Sequence, residues 1–261
     1  MITMNNNSVS LNNHTLNIFT NSSTGFQNKK FDSFKFLSSH PYFSKIQSEK
    51  LNQLVEYSKV TSIKAGEYII SEGDRQSIYG YIVIDGTIAV TKSSSNGKEL
   101  IVELLQAGDI FGLFVALAQD KVPSQLSTKG LEKSLLMWIP LDQFTSLFSS
   151  NCSLLNTAVS HLLTSLQASY CLARGLAHDK VHVRIATILI SLAIKHTRHS
   201  DGEACYVINL TRQQLADLTG TTQETAIRVT RAMEKSGIID IRLPGIIRVK
   251  NLKLLSNIAE E

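Results

Sequence analysis

The chain of 261 residues is 43% hydrophobic and 18% charged, which is typical of a globular protein large enough for one large or two ordinary domains. No stretch reaches the roughly 18 uninterrupted apolar residues that span a bilayer, so we expect no membrane contact. No basic segment leads into an apolar one at the N-terminus, and three unevenly spaced cysteines cannot form a fully paired set of disulfides, so we expect a reducing, cytoplasmic compartment. The formal net charge of +4 identifies no partner by itself, but residues 178–261 hold twelve Lys and Arg against nine Asp and Glu, which favours nucleic-acid contact by the C-terminal part.

Residues 1–30 are dominated by Asn, Ser and Thr and contain few apolar anchors. Such a composition cannot repay the entropy of ordering, so it predicts a disordered tail. The hydrophobic residues Leu11, Leu16 and Phe19 leave open that the tail docks on the rest of the protein.

Residues 31–150 are predicted to form a β-barrel domain. After a short helical segment, the hydrophobic period between Val60 and Pro140 becomes two, and strand-like pieces alternate with turns that contain Gly, Asp and Asn. The dipeptides Asp85-Gly86 and Asn96-Gly97 tolerate positive φ and are typical of tight hairpins. Short strands at regular spacing predict a closed antiparallel barrel or sandwich.

Residues 151–178 are predicted to form a helix with a heptad seam. An apolar stripe of this kind buries itself against a like helix, and small residues in it permit close approach, so we expect a homodimer. The alternative is that the stripe packs on the protein's own barrel. The seam residues, spaced alternately by four and three, are Leu155, Val159, Leu162, Leu166, Ser169, Ala173 and Leu176.

Residues 179–261 follow a hinge at Gly175 and Asp179, where Asp179 is suited to N-cap a helix that extends to about Lys195. Further along, Thr211 and Thr222 can each N-cap a helix, and Gly220 permits a left-handed turn between the two helices. This pattern predicts a helix-turn-helix. A hairpin at 238–249 with Pro244-Gly245 at its turn would form a wing whose Arg242, Arg248 and Lys250 lie along a DNA backbone.

The second helix of this unit has two different faces. Ala226, Val229 and Met233 share a stripe that faces the domain core, whereas the outward stripe combines an acid near the helix N-terminus with cations further along. An Arg can donate to guanine, a carboxylate can accept from cytosine, and Ile227 can touch a thymine methyl group. The alternative is an ordinary solvated helix. The candidate DNA-binding residues are Thr211, Arg212, Thr222, Gln223, Glu224, Ile227, Arg228, Arg231, Lys235 and Arg248.

The order barrel, seam helix, hinge and winged helix-turn-helix resembles the CRP/FNR family of bacterial transcription regulators over nearly the whole chain after Phe31. Residues 64–74, 86–90 and 106–112 resemble the turn glycines of the family barrel, and residues 210–237 resemble its most specific signature. The resemblance implies an α+β protein with a cyclic-nucleotide-binding-like jelly roll. It also implies a homodimer that binds a two-fold symmetric promoter site in double-stranded DNA and contacts RNA polymerase.

Carried over by position, Glu224 and Arg228 match the base-reading acid and arginine of the family. Gln223 stands where the cAMP-responsive branch usually has a further arginine, and Ile227 where the oxygen-sensing branch usually has serine. These departures change the expected half-site, although Glu224 and Arg228 still favour a G·C pair at its centre.

We expect that any effector differs from the best-known ones. The cAMP-binding branch has a Glu after the barrel glycine and an Arg that grips the phosphate, whereas here Gly112 is followed by Leu113-Phe114 and no arginine occurs between Arg75 and Arg174. These differences argue against cAMP. An iron–sulfur cluster needs four ligands of thiolate type, and none of the three cysteines lies in the N-terminal segment where that branch holds its cluster. We therefore expect no metal site.

A haem would need an axial ligand, for which His40, His161 and Cys171 are the candidates. Redox sensing by Cys152 or Cys171, an unidentified ligand and constitutive activity also remain open. Any effector is expected to act through the hinge by setting the angle between the two helix-turn-helix domains of the dimer, which we call its reading heads. Their recognition helices would then fit successive major grooves about 34 Å apart.

A partner-binding module and an enzyme are the two alternatives to a DNA-binding regulator. A winged helix can mediate protein contacts in a ligand- or partner-binding module, which the pair Glu224 and Arg228 on the exposed face disfavours. The sequence does not support a catalytic function, because it has no Gly-rich phosphate loop, no paired metal-ligand spacing and no Ser/His/Asp grouping.

Overall fold

The computed structural model describes residues 31–74, 78–112, 123–195 and 206–261. It confirms the predicted α+β class and divides into two compact units. Of the described residues, the first unit contains those up to Ala89 together with those within Leu104–Leu162, and the second contains Val90–Glu103 together with those within Leu163–Glu261. The predicted disordered tail, residues 1–30, lies outside the described residues. None of the described helices is long and apolar enough to cross a membrane.

In the described part of the chain, two helices precede the N-terminal strands, and two more follow them. The first helices are α1 (Ser33–Ser39) and α2 (Ser48–Tyr57). The strands are β1 (Lys59–Ile63), β2 (Tyr68–Ile70), β3 (Tyr79–Asp85), β4 (Ile88–Ser93), β5 (Glu99–Leu105), β6 (Ile110–Phe111), β7 (Ser127–Gly130) and β8 (Ser134–Pro140). The chain then continues into α3 (Leu141–Ser149) and α4 (Cys152–His178).

The eight strands form two four-stranded sheets with the orders β1-β8-β3-β6 and β2-β7-β4-β5. The antiparallel register between β3 and β8 places Tyr81 opposite Trp138 and Ile82 opposite Met137. The Asn96-Gly97 dipeptide joins the neighbouring strands β4 and β5, and Gly97 has a φ of 77°, so the hairpin predicted there is confirmed.

The turn at Asp85-Gly86 differs from its prediction. Gly86 has the expected positive φ of 88°, but β3 and β4 belong to different sheets, so the turn carries the chain from one sheet to the other. Ser134 lies so close to Gly86 that a Cβ there would overlap its side chain. The glycine is therefore needed for close approach as well as for its φ.

A helical layer covers one face of the first sheet. Alternate residues of β3 and β8 point to this layer, because successive side chains of a strand lie on opposite faces. A Cβ on Gly80 of β3 would lie 2.5 Å from the ring of Phe144 in α3, which shows how closely the layer approaches. The buried cluster includes Phe36, Leu37, Phe43, Ile82, Ile84, Met137, Ile139, Phe144, Phe148, Leu154 and Ala158.

The helix α4 has two distinct apolar stripes. Leu154 and Ala158 are buried within the first unit, whereas the predicted seam lies on a different face. Val159 and Leu166 of the seam are each 46% exposed, and Leu155 and Leu162 are also exposed. Leu155, Val159 and Leu162, which belong to the first unit, are therefore exposed and do not pack on its strands.

Two predictions near the end of α4 need correction. Leu176 is half-buried and contacts Gly220 within the second unit, to which both residues belong, so it is not part of the exposed stripe. Gly175 lies inside α4 and does not interrupt it, because the helix continues to His178. The break is at Asp179 and Lys180.

The second unit contains a winged helix-turn-helix. Its elements are α5 (Val181–Lys195), β9 (Tyr206–Asn209), α6 (Arg212–Thr219), α7 (Gln223–Lys235), β10 (Ile239–Asp240), β11 (Ile246–Val249) and α8 (Leu252–Ala259). The sheet order β10-β11-β9 confirms the predicted wing and adds β9 as its third strand. The terminal helix α8, N-capped by Asn251 and packed on α5, was not predicted.

Candidate nucleic-acid interface

The first helix of the motif, α6, begins with a reciprocal cap. Thr211 Oγ1 accepts from the backbone N–H of Gln214 at 3.2 Å, and Gln214 Oε1 accepts from the backbone N–H of Thr211 at 2.8 Å. This capping box satisfies two donors that a helix start otherwise leaves without partners. The predicted N-cap at Thr211 is confirmed.

The turn and the start of the second helix, α7, also have the conformations that the sequence predicts. Gly220 adopts φ 59° and ψ 43°, which is the left-handed conformation predicted for it. Thr222 Oγ1 accepts from the backbone N–H of Thr225 at 3.2 Å and so caps α7. These local interactions fix where α7 begins and therefore which of its residues point outward.

The buried stripe of α7 differs in one member from its prediction. Ala226 and Met233 are buried as expected, but the residue between them is Thr230, while Val229 is half-buried. Thr230 enters the core because its hydroxyl donates to the carbonyl of Ala226 at 2.8 Å, which satisfies its polar atom. Thr230 lies four residues after Ala226 and three before Met233, and this helical spacing is the sequence signal that identifies Thr230 as a core residue.

The opposite stripe of α7 is open to solvent and mostly polar. Only Ile227 is half-buried there, and it adds an apolar contact between the polar side chains. The single acid lies in the first turn and the cations follow it, which gives the stripe hydrogen-bond acceptors at one end and donors along the rest. The exposed residues are Gln223, Glu224, Arg228, Arg231 and Lys235.

The side chain of Arg212 is held differently from the residues of this stripe. Arg212 is half-buried, and its Nη1 has no hydrogen-bond partner among the residues that the structure describes. Burial lowers the pKa of Arg212, and the carboxylate of Glu234 opposes that effect. The guanidinium of Arg212 is therefore partly buried within the helix-turn-helix.

The wing contains a cluster that the sequence did not predict. The carboxylate of Asp240, 6% exposed, accepts from Arg242 Nε at 3.0 Å and Nη2 at 2.6 Å, and Lys250 Nζ lies 3.9 Å away. These cations hold the pKa of Asp240 well below its usual range. Arg242 and Lys250 are therefore partly neutralised within the wing. Arg248 of β11 is half-buried.

The candidate haem ligands do not form one site. The Nε2 of His40 donates to the carbonyl of Gly108 at 2.8 Å, and its Nδ1 accepts from the backbone N–H of Tyr42 at 3.3 Å. Both ring nitrogens are thus occupied, which argues against axial ligation by His40. His161 packs edge-on against Tyr42, and Cys171 is exposed.

A two-sheet N-terminal domain, a long helix and a winged helix-turn-helix with an exposed polar stripe define a DNA-binding regulator with a separate β domain. Residues 60–151 match the family model of a cyclic nucleotide-binding domain, and residues 183–258 match that of a Crp-like helix-turn-helix domain. The chain belongs to the CRP/FNR family of transcription regulators.

Similar proteins span most of the chain. The cAMP-activated global transcriptional regulator CRP of Pasteurella multocida is 29% identical over 184 residues, 70% of this chain and 82% of the relative. The transcriptional activator protein FnrL of Cereibacter sphaeroides is 24% identical over 204 residues, 75% of this chain and 78% of the relative. The structure of FixK2 from Bradyrhizobium japonicum shares the fold, with a TM-score of 0.66 and 20% identity over 77% of this chain and 96% of that one.

Proposed function

We propose that this CRP/FNR-type regulator acts as a homodimer that reads a palindromic promoter site with the exposed stripe of α7. Glu224 accepts from a cytosine amine, and Arg228 donates to a guanine. The observation that carries this proposal is the cap at Thr222, which starts the helix so that both side chains lie on the exposed stripe while Ala226 and Met233 lie in the core.

The backbone contacts would come from residues around this stripe. Thr211, Thr222 and Gln223 lie at the N-terminal ends of the two helices, where side chains and N–H groups suit phosphate oxygens. Arg231 and Lys235 lie further along α7 and suit the phosphates flanking the bases. Arg212 and Arg248 contribute after leaving their half-buried positions, and Ile227 meets a thymine methyl group.

The dimer proposal rests on the seam of α4. A row of exposed apolar side chains on one face of a 27-residue helix is costly in water, and a second copy of the same helix covers it. Ser169 and Ala173 would allow the two helices to approach closely. The two reading heads would then address the two half-sites of one palindrome.

The remaining proposals rest on family membership and, for the effector, on the sequence of the β domain. We infer that the DNA-bound dimer contacts RNA polymerase in the cytoplasm, that it acts by binding rather than by catalysis, and that its effector is not cAMP. The last inference rests on the absence of any arginine between Arg75 and Arg174, because a phosphodiester needs a charged partner when it is buried.

The experiment that tests this function is a selection of genomic fragments by the purified protein at physiological salt, with and without a small-molecule cell extract. We expect an inverted repeat to be enriched. Enrichment only with extract would identify a ligand-gated regulator, and enrichment without it a constitutive or redox-set one. No enrichment in either arm would instead support a winged helix that binds a protein partner.

A variant pair then assigns the reading residue. Arg228→Ala is expected to weaken binding to the selected site by about 10- to 100-fold, because one bidentate base contact is worth roughly 1–3 kcal/mol. Lys253→Ala removes the same charge from the exposed side of α8 and should leave the affinity within about twofold. Equal effects of the two substitutions would show that the site is held by net charge alone.

A further inference from the structure

We infer that Arg184 is a positioning residue that fixes the orientation of the helix-turn-helix on the seam helix and thereby sets the spacing of the two half-sites. This inference rests on the proposed function as a dimer that reads a palindrome. Arg184 lies in the first turn of α5, and it is not among the candidate DNA-binding residues.

The guanidinium of Arg184 joins three elements of the second unit. Its Nη1 donates to the carbonyl of Asp179 at 2.7 Å, directly after the end of α4. Its Nε donates to the carbonyl of Thr219 at 2.8 Å, at the last residue of α6. One side chain of α5 therefore connects the end of the seam helix to the end of the first helix of the reading head.

Both acceptors are carbonyls at the C-terminal ends of helices. Such carbonyls lack a partner within their own helix and carry the negative end of the helix dipole, so a cation is the favoured donor. The two bonds use two different nitrogens of one planar group, and a planar group held at two points cannot rotate freely. The contact thus constrains direction as well as distance.

Gly175 of α4 lies beside Asp179 and the stem of Arg184. A Cβ on Gly175, one turn before the end of α4, would lie 3.3 Å from the carboxylate of Asp179 and 3.9 Å from Cδ of Arg184. The tight approach is to the Asp179 carboxylate, whereas the distance to the Arg184 stem is an ordinary van der Waals contact. Gly175, which was predicted as a hinge, therefore lies inside the helix and packs beside both Asp179 and Arg184 at this junction.

A second contact supports the same junction. Gly220, the residue after Thr219, lies against Leu176 in the last turn of α4, so closely that a Cβ on Gly220 would overlap Cδ2 of Leu176. The apolar contact holds the turn of the motif, and Arg184 holds the carbonyl just before that turn. Together they leave the recognition helix α7 little freedom relative to the C-terminal half of the seam helix.

This junction has a consequence for DNA binding. In a dimer, the orientation of each reading head on its seam helix determines both the separation and the relative rotation of the two recognition helices. Each added base pair between half-sites moves the second half-site by about 3.4 Å and rotates it by roughly a tenth of a turn. A rigid junction accepts one spacing, and a loosened junction accepts several.

The test uses a series of palindromes that share the selected half-sites and differ in spacer length by one base pair. We expect the full-length wild-type protein to show one sharp optimum. Arg184→Gln is expected to lower the affinity at that optimum by about tenfold, to reduce the ratio between the best and the neighbouring spacings, and to keep its affinity for a single half-site within about twofold. A merely destabilised protein would lose affinity for every site by the same factor.

Two further variants complete the design. Arg184→Lys keeps the charge but lacks the planar group, so it should broaden the dependence of affinity on spacer length. If the Gln variant does not fold, the Lys variant tests the positioning role of Arg184 by itself. Arg174→Gln removes an exposed arginine whose Nη2 lies 4.0 Å from the Asp179 carboxylate, and it should keep the wild-type profile.

The possible failures are distinguishable. If the wild-type protein shows no spacing optimum, the proposed reading of a palindrome fails and this inference fails with it. If the wild-type optimum is sharp and both Arg184 variants keep it, the proposed function stands and the positioning role of Arg184 is overturned.

Discussion

His40 is a buried side chain whose protonation is coupled to folding. Its imidazole is 3% exposed and is held between the carbonyl of Gly108 and the N–H of Tyr42. Burial lowers the pKa of His40 to about 4, and the hydrogen bond to Gly108 opposes that effect only partly. The folded protein therefore keeps this ring neutral at a pH at which the unfolded chain would protonate it.

We expect this coupling to appear in the pH dependence of stability. Because the folded pKa lies below the unfolded value of about 6.5, stability is full above that pH and falls as the pH decreases towards 4, by an amount on the order of 3 kcal/mol. Urea unfolding of the wild type and of His40→Gln between pH 7.5 and 4 measures the effect. The Gln variant should lack this component, and parallel curves for both proteins would contradict the prediction.

The two glycines that end α6 and α7 provide a matched pair. Both have positive φ, 59° at Gly220 and 72° at Gly237, but the space where a Cβ would stand is open at Gly237 and occupied by Leu176 at Gly220. Gly237→Ala should cost about 1 kcal/mol for its left-handed backbone, and Gly220→Ala up to about 1 kcal/mol more for the displacement of Leu176.

Unfolding in urea, with and without Leu176→Ala, separates the two costs of Gly220→Ala. The excess over Gly237→Ala should disappear in the Leu176→Ala background, because the overlapping atom is then absent. Equal costs for the two glycine variants in the wild-type background would show that the Leu176 contact has no energetic weight.

These residues also show which parts of the site the sequence can predict. Thr211, Thr222 and Gly220 were identified correctly, because caps and left-handed turns depend on neighbours within four residues. Arg184 and Asp240 were missed, since their roles depend on Thr219, Asp179 and Arg242 in a folded arrangement that periodicity does not encode.

Of the helices, α4 supports a prediction about assembly. Leu166 lies on the exposed seam, and Gln167 is an exposed neighbour on another face. Leu166→Glu should convert the dimer to a monomer, because two carboxylates would be buried together at a symmetric seam position. Gln167→Glu adds the same charge and should leave a dimer. Sedimentation of both variants measures the result, and a dimeric Leu166→Glu protein would exclude this face as the interface.

The cysteines of α4 test the register of the same interface. Cys152 precedes Leu155 by three residues and so continues the seam, whereas Cys171 lies between two seam positions on another face. In a parallel pair of helices identical seam residues meet across the two-fold axis, within the roughly 4.4–6.8 Å between Cα atoms that a disulfide requires.

Oxidation therefore distinguishes the two thiols. In a Cys205→Ser background, diamide, which accepts the two electrons, should convert the protein to a covalent dimer. Cys171→Ser should retain this product and Cys152→Ser should lose it, as seen on a non-reducing gel. A product formed through Cys171 would place the interface on a different face of α4.

The limits of prediction for whole elements are visible in β3 and β4. The Asp85-Gly86 turn was recognised, but its expected hairpin was wrong, because a positive φ permits a tight turn without specifying which strand pairs with which. The helix α8 was also missed, although its Asn251 cap and its apolar Leu252, Leu255 and Ile258 form a short amphipathic pattern. About two turns of periodicity do not distinguish a helix from a coil.

For the molecule as a whole, the strongest test of the effector proposal concerns cAMP. The match to a cyclic nucleotide-binding domain and the similarity to a cAMP-activated relative favour a nucleotide, while the side chains available for its phosphate do not. The region that would have to hold the anion contains lysines but no arginine from residue 76 to residue 173. Among them, Lys129 already lies 5.6 Å from the ring centre of Tyr68.

We therefore expect cAMP to leave the protein unchanged. At 1 mM cAMP the melting temperature should shift by less than about 1 °C, because a ligand whose Kd is at or above its concentration stabilises by at most roughly 0.4 kcal/mol. Affinity for the selected palindrome should likewise stay within about twofold, since a ligand that does not bind cannot shift the equilibrium between states. A saturable rise in melting temperature that Lys129→Ala abolishes would overturn this expectation and identify lysine as the phosphate partner.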